Sequence, residues 1–183
     1  MVRPAYVATE LVAAAGVSGG YSFRADSVSR LGEVGCTVAY CSSRHEVMNG
    51  SFMAFGVLLA GGAALLSRPL GPWATGLLVV SGLSSVATGL APQDQGATVH
   101  LWAAAPLFVA QPIALVVLGA RSRHERPWLA RALVATGVVT AAAAVTFVVG
   151  AGPASGAAER LALWPVLVGV AGFAWTTRRP ARA

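Results

Sequence analysis

The sequence predicts an all-α polytopic transmembrane bundle of six spans with both termini cytoplasmic, and three observations carry that prediction. Hydrophobic residues make up 56% of the 183-residue chain and charged residues only 11%, where a soluble domain keeps about a quarter of its residues charged. The apolar residues fall in long runs rich in Ala, Val, Leu and Gly, separated by short charged clusters. The net charge of +6 comes from 13 basic residues, all arginine, against 7 acidic ones, and most of the arginines flank the runs. In a soluble chain that balance would point to nucleic acid; between apolar runs it marks membrane topology, and no nucleic-acid partner is expected. An ordinary soluble domain and a disordered chain are both excluded.

A membrane-spanning helix needs about 20 mostly apolar residues, because a hydrocarbon core about 30 Å thick is crossed at about 1.5 Å per residue. Six segments approach that length, at about 5–21, 46–66, 71–91, 99–120, 128–150 and 161–177. The first is the weakest, since Glu10 interrupts it and Gly16, Gly19 and Gly20 lower its helix propensity. The same stretch, basic at Arg3 and ending in Ala13-Ala14-Ala15-Gly16, has the outline of a signal peptide, against which Glu10 splits the apolar run. The third segment carries Ser81, Gly82, Ser84, Ser85 and Gly89, small residues that permit close helix contact and predict a central helix. The fourth contains Pro106 and Pro112, with Gln111 near its middle. Trp73, Trp102, Trp128, Trp164 and Trp175 lie near span ends, as an interfacial belt requires. No repeat or linker divides the chain, so residues 1–183 read as one integral membrane domain.

Orientation follows from arginine placement, because short loops rich in positive charge are retained on the cytoplasmic side. With the N-terminus inside, nine arginines (Arg3, Arg68, Arg121, Arg123, Arg126, Arg131, Arg178, Arg179 and Arg182) are cytoplasmic and four (Arg24, Arg30, Arg44 and Arg160) lie opposite. The longest connection, about 22–45, then lies outside in a multi-pass protein of the cell membrane. It holds the only two cysteines, Cys36 and Cys41, for which an oxidising compartment favours a disulfide. Zinc ligation by Cys36, Cys41 and His45, or two free thiols, are the alternatives, and no metal is assigned.

Polar residues gather at the outer helix ends. His45, Glu46 and Asn49 open the second span, Asp94 and His100 precede and open the fourth, and Glu159 and Arg160 open the sixth, beneath a loop carrying Ser29. His45, Glu46, Asp94, His100 and Glu159 are the candidate catalytic groups, since imidazole titrates near neutrality and a neighbouring carboxylate tunes it. Asn49, Ser29, Arg160 and Gln111 are the candidate binding groups. The pattern predicts one polar pocket holding His45, Asn49, His100 and Glu159 with Asp94 at its rim. The competing reading is structural: acidic residues suit helix N-termini and polar residues suit the interface.

Ser27-Val28-Ser29-Arg30-Leu31-Gly32, the two cysteines, His45-Glu46-Val47-Met48-Asn49-Gly50-Ser51-Phe52, Gly89-Leu90-Ala91-Pro92 ahead of His100, and Glu159-Arg160-Leu161 with Pro165 follow in an order that resembles the membrane proteins of domain of unknown function family 998. The resemblance covers nearly the whole chain. It departs at Arg30, where the family typically carries an acid, so carboxylate chemistry at that position is not carried over. It implies a small polytopic bundle with polar residues at the outer face, and no activity.

Phosphate-binding loops, a GxSxG elbow and an HExxH helix are absent from the sequence. The first functional expectation is an enzyme embedded in the lipid bilayer that hydrolyses, isomerises or cyclises a lipid or isoprenoid, a hydrophobic small-molecule substrate. A noncatalytic scaffold or accessory subunit is the alternative, and a small-solute transporter ranks third because no pair of broken helices repeats. Neither a cofactor nor an oligomeric state is legible.

Overall fold

Five of the apolar runs form helices of the length a bilayer demands. The computed structural model describes residues 3–150 and 152–177, so Arg178, Arg179 and Arg182 of the arginine count lie outside the described residues. The five are α2 (His45–Leu65), α4 (Pro72–Leu90), α5 (Ala97–Ser122), α6 (Pro127–Val148) and α7 (Ser155–Thr177), each apolar enough to cross a membrane. A short α1 (Arg3–Ala14) precedes them, and a four-residue α3 (Ser67–Leu70) turns the chain between α2 and α4. The protein is thus a multi-pass membrane helical bundle.

The first segment departs from the expected span. Its helix stops at Ala14 after 12 residues, because the next backbone groups are taken by a strand rather than by a further helical turn. Val17–Ser18 (β1) pairs antiparallel with Cys41–Ser42 (β2), and the Gly16 carbonyl accepts from the Ser43 backbone at 3.1 Å and its hydroxyl at 2.7 Å. Gly19 then turns at φ 90°, against the Ala39 carbonyl, where a side chain would strike backbone. Residues 19–44 therefore fold back as a cap over one end of the bundle, and the disulfide Cys36–Cys41 closes its tip.

The long helices pack in serpentine order, α2 on α4, α4 on α5, α5 on α6 and α6 on α7. Helix contact inside a bilayer rests on close packing rather than on a hydrophobic force, so small residues set it. Gly56 on α2 and Gly82 on α4 lie against each other's carbonyls, with an added Cβ on either falling 2.5 Å from the facing oxygen. Ser85 Oγ donates to the Phe52 carbonyl of α2 at 2.8 Å, while Ser84 Oγ donates to Ala103 of α5 at 2.5 Å. The small residues of α4 thus serve both neighbours, while α5, packed on α4, α6 and α7, is the helix with the most long-helix partners. Away from the cap, Leu78, Leu115, Leu118, Leu133 and Val166 form an apolar core. Beneath the cap, Tyr6, Val28, Leu31, Met48 and Phe52 form a second one.

Candidate active site

The hub of the cap is the 3-10 turn Ser29–Gly32. So short a turn satisfies few of its own carbonyls, Arg30 accepting the Glu33 N–H at 3.2 Å, and side chains from around it supply further donors. Tyr40 Oη donates to Arg30 at 2.8 Å, Ser42 Oγ to Leu31 at 2.7 Å and Asn49 Nδ2, from α2, to Gly32 at 2.8 Å. Tyr21 Oη donates to Ser27 at 2.9 Å. Burial pushes the Tyr40 phenol up to about 12, so it remains a hydroxyl donor at neutral pH. Four anchors fix the backbone on which Ser29 sits.

Ser29 in turn joins two ionisable side chains from helices far apart in sequence. Its Oγ lies 3.0 Å from Nε2 of His100 on α5 and 3.3 Å from Oε1 of Glu159 on α7. Glu159 Oε2 accepts the Val28 N–H at 2.5 Å, and the whole side chain is only 2% exposed. His100 Nδ1 lies 2.6 Å from the Ala91 carbonyl. A carbonyl only accepts, so Nδ1 carries the proton, and a neutral ring leaves the Nε2 lone pair facing Ser29. The hydroxyl has one proton for two acceptors. With that proton on the His100 side the ring stands as a base toward Oγ; with it on the Glu159 side, Nε2 needs a second proton to bond at all.

Two cavities meet at this serine. One, of about 770 Å³, is an apolar groove between α5 and α6, with Ser29 and His100 at its cap end and Phe108, Pro112, Ala144 and Phe147 along it. The groove exists because Gly119 and Gly137 bring the two helices together further from the cap, against Ala130 and Pro112 carbonyls, while Phe108 and Phe147 pack at 5.4 Å between ring centroids and hold the upper halves apart. Leu101, Val109, Ile113 and Val145 on its walls are exposed on the outside of the bundle, so the groove opens sideways toward lipid. The second cavity, about 50 Å³, lies inside the bundle and includes Ser29, Glu159 and Gln111. Ser29, Ala104 and Phe108 are common to both.

The remaining residues singled out from sequence take other places. His45 Nδ1 donates to the Ser42 carbonyl at 2.9 Å and lines neither cavity; Glu46 is exposed. Asn49 reaches the site only through the turn it anchors. Asp94 accepts from the Gly35 and Val34 N–H groups at 2.7 and 3.2 Å, tethering the cap. Partial burial opposes its ionisation, but those bonds and one from Gln95 outweigh it and hold the carboxyl below the usual range. Gln111 Nε2 donates to Ser81 Oγ at 2.8 Å. Among the described residues no three His, Cys, Asp or Glu side chains converge as a metal site would require.

Arg160, next in sequence to Glu159, points the other way. Its Nε donates to Glu10 Oε1 at 2.6 Å, its Nη1 to the carbonyls of Phe23, Gly156 and Asp26 at 2.6, 2.8 and 2.9 Å, and its Nη2 to Tyr21 Oη at 2.5 Å. Glu10 is fully buried near the end of α1 at Ala14, and it is paired with an arginine rather than exposed at an interface. The Glu10–Arg160 pair escapes a motif search, yet a signal existed: a lone acid in one apolar run and a lone base opening another must find partners.

Comparison with known proteins adds family membership and nothing on activity. A family model described as Protein of unknown function (DUF998) matches residues 3–176. No curated protein and no solved structure matches the chain.

Proposed function

The chain belongs to the DUF998 family, and from that premise, which carries no activity, we propose that it is a membrane-embedded hydrolase cleaving an acyl ester of a lipid, with Ser29 as nucleophile and His100 as its general base. The observation that carries this reading is the 3.0 Å approach of Ser29 Oγ to His100 Nε2 at the head of a groove that opens toward lipid. The tautomer supports it too, since Nδ1 is committed to the Ala91 carbonyl and only Nε2 can accept the hydroxyl proton.

In this mechanism an acyl chain lies along Phe108, Pro112 and Phe147 with its ester carbonyl at Ser29. His100 Nε2 takes the hydroxyl proton as Oγ bonds to the carbonyl carbon. Collapse breaks the bond to the leaving alcohol, which receives that proton from the imidazolium, and the acyl group remains on Ser29. Isomerisation and cyclisation, the other expected reactions, have no need of a hydroxyl held against an imidazole, and hydrolysis does. The cap faces the extracytoplasmic side in this reading, supported by the arginines of the described residues. Arg24, Arg30, Arg44 and Arg160 lie at the cap end, whereas Arg68, Arg121, Arg123, Arg126 and Arg131 lie on loops and helix ends opposite it. Completion of a sixth crossing by α1 belongs to the same reading.

The test is labelling by a lipid-like fluorophosphonate and release of fatty acid from an acyl ester, with the full chain in nanodiscs. Wild-type protein should react, Ser29→Ala should not, and His100→Ala should slow both by about 10²–10⁴-fold. Equal labelling of wild type and Ser29→Ala, or no hydrolysis by folded wild type, would return the site to a purely structural role in a scaffold.

A further inference from the structure

The serpentine order puts α2 and α7 at its two ends, and α1 fills the seam between them only near the cap. Its 12 residues rise about 18 Å, well short of a hydrocarbon core about 30 Å thick. Tyr6 packs on the Phe52 and Phe55 rings of α2, at 6.3 and 5.5 Å between centroids, and clusters with Leu163 and Leu167 of α7. Beyond Phe55 the seam is open. A cavity of about 290 Å³ lies there, lined by Phe55 and Leu59 of α2, Leu70 of α3 and Leu167, Val170 and Phe173 of α7, and among the described residues no polar side chain borders it. An apolar space of this kind does not hold water, and its volume, at the lower end of the range for ligand pockets, suits a single hydrocarbon chain. Gly62 stands in its wall, and a Cβ added there meets nothing within 4 Å. Gly56 and Gly82 are accounted for by close helix contact; Gly62 makes none, weakens α2 as a mid-helix glycine does, and keeps the space clear.

The mouth of the cavity, at the end away from the cap, is basic. Pro69 lines it, and the Pro69 carbonyl accepts from Arg121 Nε at 3.1 Å. The guanidinium rests against Gly71, where an added Cβ would fall 3.0 Å from Nη1, so the corner between α3 and α4 is shaped to seat it. Arg121 is exposed, and its two terminal nitrogens bond no other group among the described residues; Arg68, beside Pro69, is exposed as well. Glu125 is the one acid at this end against Arg68, Arg121, Arg123, Arg126 and Arg131. We propose that the seam is a binding site for a membrane lipid with an anionic headgroup, one acyl chain in the cavity and the headgroup phosphate on Arg121 and Arg68. Guanidinium forks match phosphate oxygens, and clustered arginines at a membrane surface favour a net negative headgroup over a zwitterionic one. The chain completes a wall of the bundle that α1 is too short to finish. The site lies at the far end of the bundle from Ser29 and stands whether or not that serine is a nucleophile.

The experiment places the full chain in nanodiscs of phosphatidylcholine with or without phosphatidylglycerol, counts the lipid retained on the protein by native mass spectrometry, and follows thermal unfolding in both. Wild-type protein should keep one phosphatidylglycerol per chain and unfold at a higher temperature when that lipid is present. Arg121→Gln should weaken retention about fivefold, the effect of one arginine at a charged surface. Gly62→Leu, which fills the cavity, should abolish retention, whereas Gly62→Ala, which strengthens the helix and leaves the space, should preserve it. Comparing each variant with itself in the two lipid mixtures removes any change in its own stability. Equal retention of the two lipids by wild type, wild-type retention in Arg121→Gln or Gly62→Leu, or equal loss in Gly62→Ala and Gly62→Leu would overturn the proposal.

Discussion

Glu159 and Arg160 are neighbours in sequence, both almost wholly buried at 2% and 6% exposure, and both attached to the cap, yet their surroundings differ in kind. Arg160 directs its fork at five oxygens, a carboxylate, a phenol and three carbonyls, and so binds α1, α7 and the cap into one piece. Glu159 holds one backbone N–H and one hydroxyl, and beyond them borders a cavity. A buried ion with its hydrogen-bonding capacity filled is committed to architecture, while one with capacity left beside open space can meet something that comes and goes. The cap thus has a fixed half around Arg160 and, in the proposed reading, a reactive half around Ser29.

That contrast breaks if the two halves respond alike to substitution. Arg160→Met should have the largest effect on stability, about 3–5 kcal/mol, because it leaves Glu10 as an unpaired buried charge; thermal unfolding followed by tryptophan fluorescence in detergent would measure it. Adding Glu10→Leu should recover part of the loss but not all, since the Phe23 and Asp26 carbonyls stay without their donor. Replacing Cys36 and Cys41 together by serine should cost about 2 kcal/mol, the value for so small a ring, and should be seen as faster hydrogen exchange at the cap tip. Ser29→Ala should cost about 1–3 kcal/mol, because it leaves His100 Nε2 and Glu159 Oε1 without that partner, although it is the substitution expected to end activity. If Ser29→Ala instead destabilises as much as Arg160→Met, the reactive half is architecture as well.

Asp94→Asn should give the smallest effect and sharpens the picture through pH. The folded carboxyl lies below its ordinary value, so its contribution is fully present above about pH 4 and is lost as pH falls through the folded value. Wild-type cap exchange should therefore speed up below about pH 4, and the asparagine variant should lack that acid-side change because its side chain does not titrate.

Helices α2 and α4 to α7 were legible because length and hydrophobicity alone decide a crossing, and those properties are local. The end of α1 at Ala14 was not, since what stops the helix is a strand partner at Cys41–Ser42. The partner of Glu10 was not legible for the same reason: it is Arg160, 150 residues away. At the site, His100 and Glu159 stood out as ionisable groups at helix ends, but Ser29 read as one polar loop residue among several. Its place between them depends on contacts spanning 71 and 130 residues. His45 and Asn49 share a helical spacing, yet periodicity says nothing about which backbone carbonyl each will find.

Those long separations also set a schedule. The Val28 N–H waits for a carboxylate 131 residues downstream, and at about 5–20 residues per second a ribosome takes on the order of ten seconds to deliver it. During that interval α2, α4, α5 and α6 can each dock on the helix just made, and the cap is held by Asn49, Asp94 and His100 but not yet by α7. A nascent chain that lacks α7 therefore leaves the Val28 N–H and the Glu10 carboxylate, both set before α2 begins, waiting for partners that arrive only with the last helix.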